Sequence, residues 1–286
     1  MTYREAYEEG VKKLEEHGVP DADLDAFYLL EYASGGRLSR ARYLACREDN
    51  IEDALLEPYR ELLALRQKRI PLQQITGSQE FCGLNFLVNG NVLIPRQDTE
   101  TLVEEALRLL RPGMRVLDLC TGSGCIIISL KKLCPGIEAY ACDLSAEALV
   151  TAGQNAKNSG TGISFFQGDL FDAVPAGDRY DMIVSNPPYI ESGEIDSLME
   201  EVRLYEPRMA LDGGEDGLAF YRRIIAAGAD YLAGEGWLVF ETGCSQGGAV
   251  AGLMEKSGFS KVRVCRDLAG MDRVVMGRRP ADPQTC

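Results

Sequence analysis

The sequence is poor in the residues that most often hold metals or act as acid–base catalysts. It has one histidine and one tryptophan, and its nine cysteines include no C-x-x-C pair. An odd number of cysteines without metal-type spacing predicts reduced, structural thiols. The histidine, His17, lies near the end of a predicted charged helix, and we interpret it as a solvated residue. We therefore expect no metal site and no disulfide framework.

Long apolar runs and an excess of positive charge are also missing. No apolar run approaches the ~20 residues needed to cross a bilayer. The start, Met1–Glu5, lacks a basic segment followed by an apolar one, so we expect no signal peptide and a cytoplasmic protein. The net charge is −14, whereas nucleic-acid-binding proteins neutralise phosphates with Lys and Arg. We expect no stable nucleic acid binding and no membrane binding, and favour a protein or small-molecule substrate.

Three regions differ in their residue pattern. Residues 1–77 have apolar residues at helical spacing, and Thr2-x-x-Glu5 resembles a capping box, which predicts a small helical bundle. Residues 78–96 contain short extended runs around Asn89-Gly90, which predict a β-hairpin linker with its turn at that dipeptide. Residues 97–286 alternate strand and helix patterns, which predicts an α/β domain.

The α/β region predicts seven strands. A final pair without an intervening helix indicates an antiparallel last strand, whereas the earlier crossovers indicate parallel pairing. The sequence therefore predicts a mostly parallel seven-stranded sheet. The predicted strands are Arg115–Cys120, Ile137–Cys142, Ile163–Gln167, a fourth that ends before Asn186, Trp237–Glu241, Lys261–Cys265 and Arg273–Gly277.

A candidate ligand-binding turn, residues 120–124, follows the first of these strands. Glycines let a ligand approach the backbone, and N–H groups at the following helix start favour an anion. The sequence has no G-x-x-x-x-G-K, and the third glycine of the dinucleotide fingerprint is missing, which disfavours a P-loop and pyrophosphate binding. Asp143 ends the next strand, where a carboxylate can accept both hydroxyls of a ribose. An aspartate here can also cap a helix, although Ser145 is the better cap candidate.

The fourth strand ends in Asn186-Pro187-Pro188-Tyr189. The prolines hold Asn186 and Pro187 extended, so that their carbonyl groups have no helix to join. With the Asn186 side-chain oxygen, these carbonyls form acceptors for the two hydrogens of an –NH2 group. Tyr189 supplies a flat wall beside that group. The tetrapeptide thus indicates chemistry at a planar amide or amino nitrogen.

Two further segments are candidates for the same sheet edge. Gly168-Asp169-Leu170-Phe171 follows the third strand, and we expect Leu170 to be an apolar contact for an adenine ring. The charged turn Arg96–Glu100 fits either a solvated turn or part of the site, and we favour the site.

The chain contains, in this order, PLQQITG (71–77), VLIPRQDTE (92–100), VLDLCTGSG (116–124), GDLF (168–171), IVSNPPYI (183–190), GGEDGLAFYRRII (213–225) and RDLAGMDRVVMGR (266–278). This set resembles the peptide chain release factor N5-glutamine methyltransferase family of the PrmC/HemK type. The resemblance implies a Rossmann-like class I S-adenosylmethionine-dependent methyltransferase domain after a helical substrate-recognition domain. It implies methyl transfer to the glutamine of the Gly-Gly-Gln motif in bacterial class 1 release factors.

The resemblance also assigns roles to the candidate residues. We also expect a monomer that produces S-adenosylhomocysteine and needs no metal. This chain has Gln97 where the family usually has proline, Gln74 where it has tyrosine, and Cys120 where glycine is common. The implied catalytic residues are Asn186, Pro187 and Tyr189, the glutamine-binding residues are these and Pro188, and the S-adenosylmethionine-binding residues are Cys120, Thr121, Gly122, Ser123, Gly124, Asp143, Leu170 and Asn186.

Other functions remain open at this point. A DNA or RNA base amino-group methyltransferase shares Asn-Pro-Pro-Tyr, but it would need a basic face or a target-recognition module. A non-enzymatic S-adenosylmethionine-binding module would result if the acceptor cluster were occluded. A structural scaffold gives no reason for three ligand-type motifs along one sheet edge.

Overall fold

A computed structural model of the chain describes residues 1–175 and 177–281, which form two compact units. The first unit comprises Met1–Ser78 and Met199–Tyr205, and the second comprises Gln79–Leu198 and Glu206–Cys286. A short segment after the fourth strand of the sheet thus belongs to the first unit, which local patterns did not indicate. The division into domains at residues 77 and 96 stays a prediction.

The first unit is helical, as its apolar spacing predicts. In α1, Thr2 and Glu5 form the predicted capping box, each side chain bonding to the other's backbone N–H. Leu14, Leu30, Tyr59 and Leu63 are among the residues that form its core. The helices are α1 (Tyr3–Glu16), α2 (Ala22–Ala33), α3 (Arg40–Cys46), α4 (Asp53–Arg66) and α5 (Leu72–Thr76).

A buried arginine joins three helical segments of this unit. The Arg66 guanidinium donates to Asp25 Oδ2 at 2.7 Å and to Glu201 Oε1 at 2.9 Å. Arg69 also donates to Glu201 Oε1, at 2.6 Å. Burial acts to raise the pKa of Glu201, but its hydrogen bonds with Arg69 and Arg66 bring that pKa below its usual value. Breaking such a buried pair leaves an uncompensated charge, so Glu201 anchors the short helix Glu200–Tyr205 within the first unit.

The second unit begins with a hairpin whose turn differs from the prediction. β1 (Ser78–Phe81) and β2 (Leu84–Leu87) pair with each other. The turn is Cys82-Gly83, with φ values of 50° and 70°, as a two-residue hairpin turn requires. The predicted hairpin turn at Asn89-Gly90 is wrong, because the paired strands β1 and β2 do not flank it. Asn89 forms a local turn instead, in which its side-chain oxygen accepts from Asn91 N at 2.9 Å.

The seven-stranded sheet confirms the predicted fold class. The strand order is β5-β4-β3-β6-β7-β9-β8. β9 is antiparallel to both β7 and β8, and the remaining pairs are parallel. The helices and strands that follow the hairpin along the chain, of which α9 belongs to the first unit, are α6 (Glu100–Leu109), β3 (Arg115–Leu119), α7 (Cys125–Leu133), β4 (Glu138–Asp143), α8 (Ala146–Ser159), β5 (Ser164–Gln167), β6 (Tyr180–Ser185), α9 (Glu200–Tyr205), α10 (Ala219–Tyr231), β7 (Leu232–Glu241), α11 (Gly247–Lys256), β8 (Ser260–Arg266) and β9 (Asp272–Arg278).

Both faces of the sheet are buried. Along β3, Val116 packs into one hydrophobic cluster and Leu117 into the other, which is the two-residue alternation of a strand covered on both sides. The first cluster includes residues of α6 and α7, and the second includes residues of α10 and α11. Within residues 1–175 and 177–281, the structure contains no helix with the length and apolarity to span a membrane.

β7 starts earlier than its residue pattern predicts. The predicted strand begins at Trp237. In the structure Leu232 already pairs with Tyr180 of β6, and the register shifts before Met182 pairs with Trp237. β7 therefore continues through Gly234-Glu235-Gly236, residues of low strand propensity, because it pairs with β6 on both sides of them.

Candidate functional site

One cleft in the second unit, with a volume of about 250 Å³, borders the carboxyl ends of β3, β4 and β6. These three strands are neighbours in the sheet, and ligands of open α/β folds bind at this edge. Gly124, Pro187 and Tyr189 adjoin wall residues in the chain but do not themselves form the wall. The predicted site residues in the wall are Cys120, Thr121, Gly122, Ser123, Asp143, Leu170, Asn186 and Pro188.

The turn after β3 follows an unusual backbone path. Cys120, Gly122 and Gly124 have φ values of 59°, 55° and 79°. A Cβ on Gly124 would lie 2.9 Å from Ile128 Cδ1 and 3.2 Å from Ala152 Cβ, whereas a Cβ on Gly122 would meet nothing within 4 Å. Gly124 is thus needed for close packing of α7 on α8, and Gly122 leaves its backbone open to the cleft.

A buried carboxylate lies beneath this turn. Asp118 of β3 is 0% exposed, and its Oδ2 accepts from the Thr121 hydroxyl at 2.6 Å. Burial raises the pKa of Asp118 to about 7. The residue ties Thr121 to the strand end. Sequence reasoning missed it, although an acid inside the apolar run Val116–Leu119 is a usable signal.

Asp143 ends β4 and holds two backbone groups. Its Oδ2 accepts from Gly122 N at 2.8 Å, and its Oδ1 accepts from Ser145 N at 2.9 Å. Burial raises the pKa of Asp143, and these two hydrogen bonds act against that rise. Ser145 caps α8 by accepting from Ala148 N, which confirms that Ser145, and not Asp143, is the cap. Each Asp143 oxygen keeps a lone pair for a ligand hydroxyl.

The Asn-Pro-Pro-Tyr segment is held at both ends. The Ser185 hydroxyl, at the end of β6, donates to Leu119 O at 2.7 Å. The Tyr189 carbonyl oxygen accepts from Gln246 Nε2 at 2.9 Å. Pro187 and Pro188 are buried and Asn186 is half-buried in the cleft wall. The segment is therefore a fixed part of the sheet edge.

Residues that follow this segment close the cleft from another side. Ile190 N donates to Leu211 O at 3.0 Å, and Gly213 N donates to Ile190 O at 2.8 Å. A Cβ on Gly213 would lie 2.7 Å from Tyr189 Cα, so only glycine permits this approach. Sequence reasoning did not assign these wall residues, which are Pro207, Met209, Ala210, Asp212 and Phe220.

The charged turn before α6 borders the cleft. Arg96 and Thr99 lie in the cleft wall. Arg96 forms an ion pair with Glu206, whose side chain is buried. Burial raises the pKa of Glu206, and the charge of Arg96 acts against that rise.

Glu241, the last residue of β7, was not identified from the sequence. It is 2% exposed, and its strand is the neighbour of β6. An acid that ends the apolar run Trp237–Phe240 was the available signal. Within the part of the chain that the structure describes, no group of three or more His, Cys, Asp or Glu residues could hold a metal ion.

Known proteins of one family are similar to this chain over most of its length. Residues 5–77 match the PrmC N-terminal domain family and residues 97–215 match the methyltransferase small domain family. A release factor glutamine methyltransferase of Geobacter sulfurreducens is 46% identical over 93% of this chain and 92% of its own length. One of Cereibacter sphaeroides is 40% identical over 98% of this chain and 100% of its own length. A Pyrococcus furiosus methyltransferase structure aligns with a TM-score of 0.53 at 16% identity, covering 69% of this chain and 90% of that chain, and shows a similar fold.

Proposed function

Because the chain belongs to the release factor glutamine methyltransferase family, we propose that it methylates the side-chain amide nitrogen, N5, of a release factor glutamine. The methyl donor is S-adenosylmethionine, and the target is the glutamine of the Gly-Gly-Gln motif in bacterial class 1 release factors. The observation that supports this proposal is the meeting of the β3 turn, Asp143 and Asn186 in one cleft. An acceptor cluster for an –NH2 group thus borders a nucleoside-type site.

The wall of the cleft fits S-adenosylmethionine. Asp143 retains acceptor capacity for ribose hydroxyls, the open backbone at Gly122 suits close approach, and the start of α7 suits the carboxylate of the methionine part. Leu170 gives the adenine an apolar contact. When bound, the cofactor supplies a methyl group activated by a sulfonium. We assign its binding to Cys120, Thr121, Gly122, Ser123, Gly124, Asp143, Leu170 and Asn186.

Asn186 and Pro187 act on the nucleophile. An amide nitrogen reacts poorly because its lone pair is delocalised, so orientation matters more than usual. The Asn186 side-chain oxygen and the Pro187 carbonyl each accept one amide hydrogen, which aims the lone pair at the methyl group. Tyr189 and Pro188 confine the amide plane. As the new N–CH3 bond forms, the methyl–sulfur bond would break to leave S-adenosylhomocysteine, and the nitrogen would lose one proton to solvent.

The helical unit is the part of the chain that we assign to substrate recognition. None of the wall residues of the cleft belongs to this unit, so it has no assigned part in methyl transfer. A release factor is a large protein, and holding it requires more surface than the glutamine alone. We propose that the enzyme acts as a monomer. We also propose that it does not bind nucleic acid stably, because its net charge of −14 repels phosphate groups.

Incubation with methyl-labelled S-adenosylmethionine tests the proposal. The substrates are a purified class 1 release factor, the same factor with the Gly-Gly-Gln glutamine replaced by alanine, and duplex DNA. We expect label on the intact factor alone, and mass spectrometry should place it on that glutamine. Label on DNA would favour the base methyltransferase alternative. Binding of S-adenosylmethionine without transfer to any substrate would favour the non-enzymatic module.

A further inference from the structure

Glu241 has a buried carboxylate oxygen without a partner. The residue is 2% exposed, and Oε2 has no hydrogen-bond partner within the described chain. Its backbone is fixed, since its carbonyl oxygen accepts from the Tyr221 hydroxyl at 2.8 Å. An unpaired buried carboxylate is costly and is rarely kept without a role.

Strand register places this carboxylate beside Asn186. Ser185 of β6 pairs with Phe240 of β7, and Asn186 and Glu241 are the residues that follow this pair, so both lie where neighbouring strands reach the carboxyl edge of the sheet. The side chains of Thr99 and Asn186 act to lower the pKa of the Glu241 carboxylate. Thr99 and Asn186 lie in the cleft wall, whereas Glu241 does not.

A carboxylate in this position selects one orientation of the asparagine. The Asn186 amide has a donor end, Nδ2, and an acceptor end, Oδ1, whereas an ionised carboxylate can only accept. An ionised carboxylate that bonds to this amide accepts from Nδ2 and leaves Oδ1 directed away from it. A protonated Glu241 would donate to Oδ1 and remove that acceptor from the cleft.

We propose that Glu241, as a carboxylate, is a positioning residue that holds the Asn186 amide with Oδ1 toward the substrate nitrogen. This inference rests on the proposed function, because it assigns a role in aligning the same –NH2 group. Glu241 acts through Asn186 and touches neither substrate nor cofactor.

The charge state of Glu241 adds a measurable property. Burial raises the pKa of Glu241 to about 7, and hydrogen bonding with Thr99, the charge of Arg273 and hydrogen bonding with Asn186 act against that rise. The active, ionised form is populated above this pKa, so the rate of transfer rises with pH through about 7. The charged or titratable side chains that interact electrostatically with the Glu241 carboxylate are Asp98, Arg273, Tyr189, Tyr221 and Cys125.

Single-turnover methylation of a release factor with saturating cofactor tests the proposal. Between about pH 6 and about pH 8 the wild-type rate should rise on the order of 10-fold, as for one ionising group. Glu241→Gln presents either amide end to Asn186, so its rate should fall roughly 10- to 100-fold at the higher pH. Its rate should also lose the pH dependence. Its cofactor Kd and its KM for the release factor should change by less than about 2-fold.

Glu105→Gln is the matched control. Glu105 is another buried glutamate, 7% exposed, on α6, where it pairs with Arg108 and Arg263. It lies outside the cleft wall, so its variant should keep the wild-type rate and pH profile. Glu241→Asp is a second variant that keeps the charge but shortens the side chain, and its rate should also fall.

The possible outcomes separate this inference from the proposed function. No transfer by the wild-type protein at any pH would contradict the proposed function itself. Wild-type transfer with a flat pH profile, or an equal rate in folded Glu241→Gln, would overturn the role of Glu241 and leave the proposed function intact. Equal losses in the Glu241 and Glu105 variants would also overturn it, because they would show a general effect on stability.

Discussion

Asn186 is the residue on which the proposed chemistry depends most directly. Asn186→Ala removes the side-chain acceptor, so turnover should fall by a factor on the order of 100 or more, as when one preorganised hydrogen-bonding group is lost at a reacting centre. Asn186→Asp keeps an oxygen toward the amide and should retain more activity than the alanine variant. Single-turnover rates with saturating cofactor and a release factor measure both effects.

Cofactor affinity provides the control for the Asn186 variants. Most proposed cofactor contacts lie at residues 121–124 and Asp143, so the Kd of S-adenosylmethionine should change much less than turnover. Asn158→Ala is a matched substitution of an exposed asparagine on α8 and should leave the rate unchanged. Transfer by Asn186→Ala near the wild-type rate would remove the assigned role of Asn186.

Asp143 should be essential for cofactor affinity. Loss of a charged hydrogen bond costs about 1.5–3 kcal/mol, so Asp143→Ala should weaken S-adenosylmethionine binding by that amount in a calorimetric titration. Because Asp143 also holds Gly122 N and Ser145 N, alanine frees two backbone groups as well. Asp143→Asn keeps an acceptor and should weaken binding less. Unchanged affinity in a folded alanine variant would contradict the ribose assignment.

At the residue scale, two polar residues of the cleft wall could be predicted from the sequence, whereas Glu241 could not. Asn186 and Asp143 stand at strand ends within recognisable local patterns, and both lie in the cleft wall. Glu241 also ends a strand, but its importance depends on the register of β7 against β6. Register is a long-range property that no local pattern specifies.

At the scale of elements, the packing of α7 depends on Gly124. A side chain there would adopt a left-handed backbone and press on Ile128 Cδ1 at 2.9 Å, so Gly124→Ala should lower the free energy of unfolding by about 1–2 kcal/mol or more. Gly153, inside α8, has nothing within 4 Å of an added Cβ. Gly153→Ala should instead raise stability by about 0.5–1 kcal/mol.

Denaturant unfolding of both glycine variants measures this contrast. Both substitutions add one methyl group, so a difference between their free energies of unfolding reflects the local backbone conformation and the local packing. An equal effect of both substitutions would contradict the steric argument for Gly124.

Element boundaries follow the same distinction between local and long-range causes. α2 (Ala22–Ala33) and α8 (Ala146–Ser159) each end within two residues of a glycine, Gly35 and Gly160, and a glycine after a helix is a local signal for its end. The hairpin turn is at Cys82-Gly83 although Asn89-Gly90 is the stronger local signal. Phe81 and Phe86, one in each strand of the hairpin, pack into the core of the second unit, and burial of this kind outweighs turn propensity.

At the scale of the whole molecule, we expect the second unit to bind the cofactor and the helical unit to recognise the release factor. A truncated protein that begins at Gln79 retains every wall residue of the cleft and should bind S-adenosylmethionine with near wild-type affinity. Its kcat/KM for an intact release factor should fall at least about 10-fold, equivalent to about 1.4 kcal/mol of lost recognition. Its kcat/KM for a short Gly-Gly-Gln peptide should change little.

A competition experiment tests the same prediction without using the truncated protein. The isolated fragment of residues 1–78 should inhibit methylation of the intact factor by the full-length protein and leave methylation of the peptide unchanged. Full activity of the truncated protein on the intact factor would assign the helical unit another purpose.

The sequence by itself determined the order of the seven strands of the sheet, the strand-end motifs and the family resemblance, because periodicity and short motifs are local properties of the chain. The tertiary structure alone decided which buried acids support the cleft, that Leu232 joins β7, and that Met199–Tyr205 belongs to the first unit. These features depend on burial and register between segments far apart in sequence. Glu201 illustrates the reason, since its partners Arg66 and Arg69 are brought to it only by folding.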